Sequence, residues 1–151
     1  MRMNDATIRT RNELAAYLHD IGVNTNAYHL FGAHLDEAFV LDRRPEGWTV
    51  FYSERGGENV LSVHRDEADA CRDLLARLTK NEHVFFELVA GPAPAAVADG
   101  AFDKWLRQRG TGRSDLDPTE WKSDQIPWTA SSCRRRYFVR ITTARRINES
   151  T

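Results

Sequence analysis

The chain of 151 residues fits one domain of ordinary size, and 41% hydrophobic with 28% charged residues places it with folded globular proteins, away from disordered or membrane classes. Two cysteines, Cys71 and Cys133, are too few for a disulfide framework and lack CxxC spacing, so reduced thiols are expected. No secretory signal opens MRMNDATIRTRNELAAYL, and Glu87, Gly91, Pro92 and Pro94 break the longest apolar-rich stretch; a cytoplasmic protein away from membranes is expected.

In chain order, Ile8, Leu14, Leu18 and Ile21 recur at helical spacing over about residues 5–21, with Gly22 placed for a left-handed C-terminal cap. Tyr28–Phe31, Ala38–Asp42 and Trp48–Ser53 read as strands, RRPEG joining the last two as a hairpin. Gly56 and Gly57 can both take positive φ, so RGGEN reads as a tight turn into a fourth strand, Val60–His64. Residues 66–79, DEADACRDLLARLT, give the clearest helix: Ala68, Cys71, Leu74, Leu75 and Leu78 form its apolar stripe, and Asp66, Glu67 and Asp69 suit the dipole of its first turn.

HVFFELVA, residues 83–90, is ambiguous between a buried strand and a helix extension, with strand preferred; GPAPAAVADG reads as a loop and AFDKWLRQR as a short helix stopped by Gly110, with Ala101, Trp105 and Phe102 inward. Residues 111–128 read as a polar loop, and RYFVRITT as a last strand. The expected architecture is α+β: a small antiparallel meander packed with N-terminal, central and C-terminal helices. Residues 1–110 would form the core of a single domain, with 111–151 an irregular loop plus a basic strand or tail of that domain.

The net charge of −1 hides a segregation. Residues 36–73 hold ten acids against five arginines, whereas residues 133–148 carry Arg134, Arg135, Arg136, Arg140, Arg145 and Arg146 with no acid. The arginines with Tyr137 and Phe138 could bind phosphates and stack bases. Pairing of the tail with the acidic middle of the same chain outranks that reading at near-neutral overall charge.

Each chemical constellation has a blander reading that ranks above it. Cys71 could be a thiol nucleophile with any of His19, His29, His34, His64 or His83 as base, but its place on an apolar stripe fits core packing. His29 and His34 with His64 or Asp36 could hold a metal, although the spacing matches no stringent motif. Glu54 and Glu58 could act as acid and base with Arg55 as a clamp; a salt-bridged strand end beside a turn needs no such chemistry, and GG lacks the fuller pattern of phosphate loops. Trp105 could anchor a partner or sit in the core.

Residues 36–78, DEAFVLDRRPEGWTVFYSERGGENVLSVHRDEADACRDLLARL, resemble small bacterial immunity proteins of polymorphic and contact-dependent toxin systems. The resemblance is carried by Trp48, Val50, Tyr52, Glu54, Arg55 and Gly56 in a strand and turn, then by Glu67, Ala70, Cys71, Leu74 and Leu75 in an acidic helix. It implies binding and blocking of a cognate toxin domain, with no cofactor and no turnover; no metal ligands are assigned. Residues 111–151 lie outside the pattern. An acidic surface speeds encounter with a basic partner, such as a nuclease, so Glu54, Arg55, Glu58, Asp66 and Asp69 are the expected partner-binding residues. A nucleic-acid module using the C-terminal arginines, or a small enzyme, are the competing functions.

Overall fold

A computed structural model describes residues 8–31, 36–129 and 132–149. The chain divides into two compact units, residues 1–84 and 85–151. Helices and two sheets give the α+β class expected from the sequence.

The first unit opens with helix α1, Arg11–Ile21. It begins later than residue 5 because Thr10 caps it: the Thr10 hydroxyl accepts from the Glu13 amide at 3.2 Å. Gly22, at φ 79°, closes it with its N–H on the His19 carbonyl, the left-handed cap expected of glycine there. Strands β1 (Tyr28–His29), β2 (Ala38–Arg44), β3 (Gly47–Glu54) and β4 (Gly57–His64) form one sheet in the order β1-β2-β3-β4. The meander β2-β3-β4 is antiparallel, but β1 stops at His29 and pairs parallel with β2, so the sheet is mixed.

Helix α2, Glu67–Thr79, packs against β2, β3, β4 and α1. Ala70, Cys71, Leu74, Leu75 and Leu78 are its buried residues; Ala68, expected inward, is only half-buried. Both faces of β3 are largely covered, Trp48, Thr49, Val50, Phe51 and Ser53 all being buried.

In the second unit β5 (Phe86–Pro94), β6 (Trp121–Thr129) and β7 (Ser132–Arg140) form an antiparallel sheet in the order β5-β7-β6. Several expectations are corrected here. Residues 91–94 extend β5 because prolines are tolerated on an edge strand, and its pairing with β7 shifts register between Leu88 and Ala90 and again between Ala90 and Ala93. Helix α3, Ala95–Arg107, therefore begins six residues before the expected start, and Ala98, Phe102 and Leu106 point inward at four-residue spacing; Ala101 is exposed and Trp105 half-buried.

The polar segment 111–128 ends in β6, whose polar residues occupy an edge and pair across it: Arg136 grips Asp124 through two bonds of 2.9 and 2.7 Å. The last expected strand ends at Arg140, and Ile141–Glu149 is helix α4. The β-branched residues at 141–143 favour a strand locally, but Ile141, Ala144 and Ile147 bury one side at helical spacing. Together with α3 and β7, α4 encloses a core of Ala98, Phe102, Leu106, Tyr137, Val139, Ala144 and Ile147.

Candidate functional site

The hairpin between β3 and β4 is built by two residues with positive φ, Arg55 at 52° and Gly56 at 77°. That pair suits a two-residue turn whose twist matches the flanking strands. Gly57, expected to share this conformation, instead begins β4. Asp36 holds the turn from outside: its carboxylate accepts from the Gly56 amide at 3.1 Å and from the Ser53 hydroxyl at 3.3 Å. A carboxylate two residues ahead of a strand carries no sequence signal for this role, so the sequence offered Asp36 only as a metal ligand.

Glu54 and Arg55 stand exposed at the hairpin tip with no hydrogen-bonded or ion-paired partner among the described residues. Glu58 is committed. Its two oxygens take Arg44 Nη1 and Nη2 at 2.9 and 2.8 Å, while Arg44 Nε reaches Asp42 at 3.0 Å and the guanidinium lies 4.5 Å from the Phe51 ring centre. Glu58 and then Asp42 hold the Arg44 pKa above its ordinary value. Asp66 is the N-cap of α2 but its side chain makes no capping bond, and Asp69 pairs with Arg72 at 3.0 Å.

The five expected binding residues therefore do not form one patch. Glu54, Arg55 and Glu58 lie at the hairpin end of β4, and Asp66 and Asp69 beyond its other end. At about 3.3 Å per residue, the strand separates the two groups by roughly 23 Å.

Between them runs a free edge. Among the described residues β4 has one strand neighbour, β3. A bulge interrupts that pairing: Val50 faces Ser62 and Phe51 faces Val60, leaving Leu61 as the extra residue. The bulge puts Val60 and Val63 on the same side of the sheet, opposite Phe51 and Thr49, where they are 52% and 46% exposed. An exposed edge with apolar side chains is a template for a partner, bounded here by charge at both ends.

The catalytic and metal alternatives find less support in the geometry. Cys71 is fully buried, and burial followed by the Glu67 charge pushes its thiol up to about 11, away from a reactive thiolate. His29 on β1 and His64 on β4 are separated by two strands, about 14 Å at the usual spacing. His34 lies outside the described residues. No group of three His, Cys, Asp or Glu among the described residues could hold a metal ion.

A Ser-His-Asp cluster that sequence reasoning missed joins β4 to α2. His64 Nε2 lies 3.1 Å from Ser62 Oγ and 3.0 Å from Asp73 Oδ2, Ser62 also donates to Asp73, and Arg77 Nε reaches Asp73 Oδ1 at 3.1 Å. A nucleophilic relay needs serine and carboxylate on opposite imidazole nitrogens. Here both meet the same one, which makes the cluster a clamp. Its only trace in the sequence is alternation: Ser62 and His64 share a strand face.

Three of the C-terminal arginines pair with carboxylates of their own unit. Arg135 pairs with Asp99 at 2.9 Å, Arg136 with Asp124 at 2.7 Å and Arg146 with Glu120 at 2.7 Å. Arg113 is ringed by Phe102, Tyr137 and Trp121 at 5.1, 4.9 and 5.8 Å, and bonds Asp103 at 2.8 Å. Trp105 is covered by Arg109 at 3.9 Å. No helix among the described residues is long and apolar enough to cross a membrane. Comparisons of the chain with protein-family models, curated proteins and solved structures give no match.

Proposed function

We propose that the protein is an immunity protein that neutralises a cognate bacterial toxin domain by stoichiometric binding. One observation carries the reading: β4 is an exposed sheet edge with Val60 and Val63 uncovered and with uncommitted charge at each end, Glu54 and Arg55 at one and Asp66 at the other. Apolar contact along the strand supplies affinity, while the uncommitted carboxylates Glu54 and Asp66 orient a basic partner and accelerate its approach. A nuclease toxin fits that chemistry, because a protein that binds phosphate presents cationic surface.

The nucleic-acid reading ranks second because Arg135, Arg136 and Arg146 already have carboxylate partners. The experiment is to purify the chain together with the product of the adjacent gene. A one-to-one complex that has lost the partner's toxicity supports the proposal. A partner that is absent, or bound yet fully active, contradicts it.

A further inference from the structure

A shallow, open groove lies on the α2 side of the first sheet. Phe39, Tyr52, Asn59, Leu61, Arg77 and Lys80 line a groove of about 430 Å³, within the range of small-molecule sites. Its floor is the edge-to-face pair of Phe39 and Tyr52, ring centres 5.1 Å apart. The bulge brings Leu61 to the groove while Val60 turns to the other side of β4.

The groove's cations are unevenly used. Arg77 Nε is fixed by Asp73, which Ser62 and His64 hold in turn, so the guanidinium is pre-positioned. Its terminal nitrogens, the Lys80 ammonium, the Asn59 amide and the Tyr52 hydroxyl have no hydrogen-bond partner among the described residues. Glu37 and Glu54 act on Tyr52 and, after burial itself, raise its pKa. An anionic group therefore belongs at the Arg77 and Lys80 end, with an apolar ring over Phe39 and Leu61.

We propose that this groove binds a small anion with an aromatic body, a ring carrying a phosphate or carboxylate. The proposal does not rest on the immunity reading, since its anion-binding cations, Arg77 and Lys80, lie at the C-terminal end of α2 and not among the proposed toxin contacts.

Titration of the full chain with phenyl phosphate, followed by amide chemical shifts, tests it. Benzoate, inorganic phosphate and benzyl alcohol run in parallel. The expected result is saturable shifts at Tyr52, Asn59, Leu61 and Lys80 with phenyl phosphate or benzoate, weakened about tenfold in Lys80→Gln and further in Arg77→Gln/Lys80→Gln. Lys80 is exposed at the helix end, so its replacement keeps the fold, and unchanged shifts of the buried Leu14, Leu18, Val50 and Leu74 in the same unit verify this. The absence of saturable shifts up to about 10 mM would overturn the proposal. So would equal binding by the double variant, or equal binding of inorganic phosphate or benzyl alcohol alone.

Discussion

The two thiols differ by environment alone, and this difference is measurable. Cys133 is exposed and Cys71 is buried with its pKa raised to about 11. Iodoacetamide on the folded protein should modify Cys133 and leave Cys71 untouched, with both reacting in denaturant; mass spectrometry of intact protein counts the adducts. Cys71→Ala should cost little, whereas Cys71→Ser brings a hydroxyl into the apolar stripe of α2 and should lower stability by about 1–3 kcal/mol. Equal losses would show that the position tolerates polarity. The stripe made Cys71 readable from sequence. Asp36 and Arg44 were not readable, because a carboxylate's grip on a turn 20 residues away depends on how the strands align.

Backbone conformation, not side-chain chemistry, decides the tolerance of the turns that join the elements. Gly56 has φ 77° and open space around it, so Gly56→Ala meets only the left-handed penalty, about 1 kcal/mol. Gly91, at φ 84°, adds a close approach: a Cβ there would press on the Arg135 carbonyl of β7. Gly91→Ala should therefore cost at least about 2–3 kcal/mol, since paired backbone must move. Denaturant titration of both variants distinguishes this from a pure φ effect, which would make the losses equal.

The clamp between β4 and α2 gives a pH signature. Desolvation works to raise the Asp73 pKa, but hydrogen bonds from Ser62, His64 and Arg77 outweigh it and leave the group lower than its ordinary value. A depressed carboxylate stabilises the fold above its unfolded pKa, near 3.9, and the contribution is lost as pH falls through the folded value. Asp73→Asn should lower the melting temperature near neutral pH and shrink the wild-type loss below about pH 4. A variant whose acid sensitivity matches wild type would remove Asp73 from the clamp.

At this scale the meander and α2 were legible because alternation and a helical stripe are local signals. The second unit was less so. In β5 and β6 the prolines and polar residues obey edge-strand rules that apply only once the sheet order is known, and the β-branched start of α4 is decided by burial of Ile141, Ala144 and Ile147.

Across the whole molecule, charge segregates by unit and is handled differently in each. The first unit leaves Glu54 and Asp66 uncommitted, while the second pairs Arg135, Arg136 and Arg146 with Asp99, Asp124 and Glu120. Segregation was visible in the sequence; the identity of the acids that pair the tail was not, since Asp99, Glu120 and Asp124 reach it only through the sheet and helix packing of their own unit. The most direct measurement is growth rescue of cells expressing the neighbouring gene's toxic product, by wild type and by a folded Glu54→Lys/Val60→Asp/Asp66→Lys variant. The account predicts full rescue by wild type and none by the variant, with toxin affinity reduced at least about a hundredfold. Rescue by the variant equal to wild type would contradict the assignment of β4 and its charged ends as the toxin-binding edge.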